Sequence, residues 1–144
     1  MQGLAPSSDS NHITAARWLG RGPHENYPDR QLSADLGNWQ ASLAELHTPY
    51  IFPSDNGLRT GVSTLAFENA EATVAGDFSF AVSRYGQAAL HKATHTYQLK
   101  PQAEVYVYID GHHMGIGGDD SWSASVKPKF LLEDKVYRWG FELG

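Results

Sequence analysis

The sequence predicts an all-β, antiparallel sandwich, and three observations carry that prediction. Apolar and polar residues alternate with a period of two in several separate segments. Helical periodicity is scarce. The joints between segments are built from turn residues, in "RGPHENYPD", "SDNG" and "EDK".

The clearest alternation is in "DFSFAVSR", where Phe78, Phe80 and Val82 share a face opposite Asp77, Ser79 and Ser83. In "EVYVYID", Val105, Val107 and Ile109 oppose Tyr106 and Tyr108. In "VKPKFLL", Val126, Phe130 and Leu132 oppose Lys127 and Lys129. Pro128 has no amide to give to a ladder, so that strand is expected at a sheet edge. In "KVYRWGFEL", Tyr137, Trp139, Phe141 and Leu143 oppose Arg138 and Glu142. Weaker strands are expected at Ile13–Leu19, Val62–Phe67 and Thr94–Leu99. Only Ser42–Leu46 and Gln87–Ala93 read as helical, each a turn or two that packing must hold.

At 144 residues the chain fits one domain with a sizeable core. Its 41% hydrophobic and 19% charged content is that of a globular protein, not a disordered one. A net charge of −5 without clustered cations argues against a nucleic-acid partner. No apolar run approaches the ~18 residues that span a bilayer, so no membrane partner is expected. Cysteine is absent, which removes disulfides and thiolate metal sites and is compatible with a cytoplasmic location. Residues 1–11 read as a disordered leader or a cloning remnant, and 12–144 as the β-sandwich domain.

The richest stretch is "DGHHMGIGGDDSW", Asp110 to Trp122. A metal site there is weak, because adjacent His112 and His113 point to opposite sides of an extended segment, as do Asp119 and Asp120. A third ligand would have to come from elsewhere. A phosphate loop is weaker still: Gly115, Gly117 and Gly118 follow a strand, but no helix pattern opens after them and no P-loop lysine is present. A structural loop fits better, with glycines at positive φ and Asp119, Asp120 and Ser121 capping backbone amides. Trp122 stands apart, as a large ring on a polar loop suited to stacking on the C–H face of a sugar. The plain alternative is that it plugs the loop onto the sandwich.

Elsewhere, "GPHENYPD" (Gly22–Asp29) reads as a braced turn ahead of a site for sugar hydroxyls. His91 and His95 have helical metal-ligand spacing but no evident third ligand, which favours a surface pair. "TPYIFPSDNG" bends at Phe52–Pro53 with exposed carbonyls.

Four motifs, "RWLGRGPHENYPDR", "TPYIFPSDNGLRTG", "DFSFAVSRYGQAAL" and "DGHHMGIGGDDSWS", occur in one order and at one spacing. In this the chain resembles the carboxy-terminal portion of the bacterial lacZ-type β-galactosidases of glycoside hydrolase family 2, from about Ile13 onward. The resemblance implies half of a galactose-mutarotase-like supersandwich, the last domain of a much longer, oligomeric enzyme. It implies that Trp122 reaches over the mouth of the active site and stacks on the sugar beyond the galactose. It assigns no catalytic residue here and no role to Asp119, Asp120, His112 or His113 beyond shaping the loop. The catalytic glutamates and the magnesium ligands belong to a TIM barrel of about 250 residues, which this chain cannot contain. No cofactor is therefore expected in this chain: the resemblance implies magnesium and sodium or potassium in the full enzyme, bound mainly elsewhere, with the Phe52–Pro53 bend a minor place for a monovalent cation.

The implied role is a non-catalytic accessory domain that completes the mouth of a galactoside site. The expected partners are the rest of a β-galactosidase chain or a complementing subunit, galactosides bound weakly, and a second copy of this chain. Half a sandwich should leave apolar surface open, with "LAELHTPYIF" and the aromatic side of Tyr137–Leu143 the suspected patches. Two other readings are a free-standing carbohydrate-binding module and an independent epimerase-like enzyme. The last requires a histidine and a carboxylate converging in one concave site.

Overall fold

The computed structural model describes residues 13–53, 55–123 and 125–144; the expected leader lies outside them. Six antiparallel strands form one open sheet in the order β2-β1-β3-β4-β5, with β6 pairing the far end of β4. The strands are β1 (Ala15–Gly22), β2 (Asp35–Ser42), β3 (Arg59–Phe67), β4 (Thr73–Ser83), β5 (Tyr106–Asp110) and β6 (Phe141–Leu143). The all-β antiparallel class read from the alternation is the observed one. This sheet, with its loops and short helices, is one leaf of the expected sandwich.

Alternation selects the buried face. Trp18, Phe78, Phe80, Val82 and Ile109 all point inward, and β4 aligns with β5 through Phe80↔Ile109 and Val82↔Val107. In β3 the inward set changes phase, from Val62 to Leu65 and Phe67, because the register with β4 shifts on either side of Val62. A bulge adds one residue and so turns the next side chain to the other face. Trp18 closes the core edge-on against Phe80, with ring centroids 5.5 Å apart. Each of these side chains contributes about 1.5–3 kcal/mol by leaving water.

Two short helices cover the sheet. In α1 (Leu43–Leu46), Ser42 and Glu45 form a reciprocal capping box, and Leu46 is driven into the core. α2 (Gln87–Lys92) buries Leu90. Both fall where the sequence places them.

Three expectations need correction, and one strand was missed. "VKPKFLL" is not an edge strand: Pro128–Phe130 form a 3-10 turn, since proline suits the first helical position and no strand lies alongside. Thr94–Leu99 likewise contains a 3-10 turn, Thr96–Gln98. The strand expected across Lys135–Leu143 is confined to Phe141–Leu143. β2 was not anticipated; it pairs along its whole length with β1, including Trp18↔Trp39. No described helix is long and apolar enough to cross a membrane.

Candidate functional site

β5 ends at Asp110 and delivers the chain into the glycine-rich loop. The two histidines separate there: His112 lies against Tyr137 and His113 against Tyr27, with ring centroids 4.6 and 5.9 Å apart. Among the described residues no group of three His, Asp or Glu side chains is arranged to hold a metal.

The loop is tied to the "GPHENYPD" segment across 87 and 88 positions of sequence. Asp29 accepts from the Ile116 amide at 3.0 Å and from the Gly117 amide at 2.8 Å, and its side chain is only 3% exposed. Burial pushes this carboxyl's pKa up, but the Gly117 and Ile116 amides outweigh it and the net shift is downward. Gly115 leaves room for this contact: a Cβ there would stand 2.5 Å from Asp29 Oδ2. Gly117 and Gly118 take φ of 71° and 78°, where side chains are disfavoured.

Past the glycines, Asp119 sits between two cations, Arg30 and Lys127, each at 2.9 Å. Arg30 also donates to the Gly117 carbonyl at 2.5 Å. Asp120 turns the chain once more. It accepts from the Trp122 amide at 2.9 Å and the Ser123 amide at 2.6 Å, and these bonds hold its carboxyl below the usual range. Trp122 is left at the tip, 89% exposed. The ring therefore does not plug the loop onto the sheet.

The anchoring segment is itself a brace, as its composition suggested. Asn26 is fully buried; its side chain accepts from the Thr60 amide at 3.1 Å and donates to the His24 carbonyl at 3.1 Å. Glu25 accepts from the Gly57 amide at 2.8 Å and from the Tyr27 and Tyr50 hydroxyls. Burial, then Glu25, pushes the Tyr27 hydroxyl's pKa far up, so it stays a donor.

The roles of three residues escaped the sequence reading: Asp29 (placed only within the braced turn), Arg30 and Arg59. The last is buried and spends its guanidinium on the carbonyls of Leu46, Gly57 and Pro23. A lone Arg or Asp in a polar turn carries no signal that a distant backbone segment will be its partner. His91 and His95 do not share a helical face: α2 ends at Lys92, and His95 stacks on Tyr97, 5.3 Å away.

The fold and the loop define an all-β antiparallel domain that presents an aromatic ring from a backbone-anchored turn. The chain belongs to the β-galactosidase small-chain family, whose pattern matches residues 8–143. It is 52% identical over 128 residues to the β-galactosidase of Leuconostoc mesenteroides subsp. mesenteroides, a match that covers 88% of this chain and 12% of that protein. A β-galactosidase of Yersinia enterocolitica is 52% identical over 85% of this chain and 11% of its own length. One of Alteromonas mediterranea is 50% identical over 94% and 13%. The chain thus spans about an eighth of the curated relatives it matches.

Proposed function

We propose that this chain acts as the non-catalytic accessory region of a β-galactosidase of glycoside hydrolase family 2, completing the mouth of its galactoside site. The observation that carries this is Trp122, an almost fully exposed ring on a loop held by buried Asp29. Such a ring is of no use to the core and is suited to stacking on a sugar. The bond-breaking carboxylates, magnesium and the monovalent cation belong to the rest of that enzyme, the partner of this chain in the cytoplasm.

One stacking contact contributes about 0.5–1.5 kcal/mol. In β-galactosidase assembled with this region, Trp122→Ala is therefore expected to weaken binding of the outer sugar about two- to tenfold, leaving folding intact. Inhibition by that sugar measures it, and an unchanged inhibition constant rejects the role of Trp122. The isolated chain should bind no more tightly than millimolar, which already takes about 4 kcal/mol. A free-standing binding module instead predicts saturable galactose or lactose binding by the chain alone, abolished by Trp122→Ala.

Within this reading the chain also self-associates when separated from its partner. Ile51 and Phe52, 79% and 60% exposed beside exposed Tyr50, offer an apolar patch in the suspected segment. Sedimentation at micromolar concentration should give a dimer. A clean monomer rejects this part of the proposal.

A further inference from the structure

A cavity of about 450 Å³ opens on the face of the sheet turned away from Phe80, Val82 and Ile109. Its floor is the cross-strand pair Ala81 and Tyr108, with Asp110 beside them. One wall is α2, through Gln87 and His91; the other comes from Leu58, Tyr27 and His113. Asp55, Asp110, His91 and His113 are all among its lining residues.

The polar groups facing this hollow offer acceptors together with a few donors. Tyr108 Oη takes the Gln87 amide at 3.1 Å, and its own proton remains free to be donated. His113 Nδ1 lies 2.5 Å from the Met114 carbonyl, a placement for donation that leaves Nε2 as an acceptor. No described residue donates to the Asp110 carboxylate, and burial pushes its pKa up. Among the described residues no lysine or arginine lines the cavity, which favours a neutral ligand over an anionic one. Leu58, Leu90 and the tyrosine rings supply an apolar surface between these acceptors. A volume in the range of small-molecule sites, which is roughly 300–1,000 Å³, takes one sugar ring with room for water.

We propose that this hollow is a binding site for a neutral polyol the size of one sugar ring, apart from Trp122, with Asp110 as the principal acceptor of its hydroxyl protons. Donor-rich hydroxyls answer the acceptors, and the ring's C–H face answers Leu58 and Tyr108. The proposal does not depend on the role given to Trp122.

Saturation-transfer NMR of the full 144-residue chain with galactose tests it. The expected result is saturable transfer whose affinity falls at least about tenfold in Asp110→Asn and persists in Trp122→Ala. Gln87→Ala, at an exposed position of the wall, should weaken it too and serves if Asp110→Asn fails to fold. Absence of saturable binding overturns the site. So does binding untouched by both pocket substitutions, or binding lost only in Trp122→Ala. Displacement of galactose by ethanolamine at lower concentration than galactose itself also overturns it, because the hollow would then be a cation site.

Discussion

Arg59→Met should destabilise the domain by about 3–5 kcal/mol, the largest single effect expected outside the apolar core. Arg59 is 2% exposed. Its Nη1 donates to the carbonyls of Leu46 and Gly57, both at 2.9 Å, and its Nε and Nη2 to that of Pro23, at 3.3 and 3.2 Å. The guanidinium also lies over Trp18, 5.7 Å from the ring centroid. It thereby joins α1, the turn before β3 and the brace. Burial pulls its pKa down to about 10, with Glu25 opposing the shift. A base whose folded pKa is depressed makes folding costlier below that value, so the three carbonyls must offset a charge still present at neutral pH. Methionine keeps the stem and strands the carbonyls, each at a cost of about 1–3 kcal/mol. Urea denaturation of the two proteins measures the difference, and a loss below about 1 kcal/mol would contradict this role.

Asp29→Ala should free the glycine loop, at a cost of about 2–4 kcal/mol for two amide bonds to a buried carboxylate. Hydrogen exchange at the Ile116 and Gly117 amides is the readout, because their protection depends on this side chain. The same bonds set a pH dependence. Asp29 has a folded pKa below its ordinary 3.8, so its contribution is complete above 3.8 and is lost as the pH falls through the lower folded value. Protection at both amides should therefore fade in acid in the native protein and be low at every pH in the variant. Equal protection in the two proteins at neutral pH would remove Asp29 from its role as anchor.

Strands whose alternate residues enter the core were legible in the sequence. β4 and β5 announced themselves because Phe78, Phe80, Val82 and Ile109 all meet the core. α1 was legible as a short helical pattern, and the structure adds a Ser42–Glu45 capping box within four residues. β2 was hidden because only Ala41 of it is buried: Leu36, Asn38 and Gln40 face solvent, and little alternation survives without burial on one side. "VKPKFLL" erred in the other direction. Its alternation was real, but a strand exists only where a partner ladder does, and here Pro128 opened a turn instead. At the loop, the exposed tryptophan and the capping aspartate could be read from composition. The Asp29 anchor could not, because it joins positions 87 and 88 residues apart through main-chain amides that have no residue-type signature.

The four indoles sit in graded surroundings: Trp18 in the core, Trp39 half covered, Trp139 partly open and Trp122 almost wholly in water. Their emission should be spread accordingly, from blue for Trp18 to red for Trp122. An iodide quencher would silence the red edge first and leave the core signal untouched. Light from this protein is thus a built-in ruler, its long-wavelength end reporting on the loop and its short-wavelength end on whether the sheet still holds.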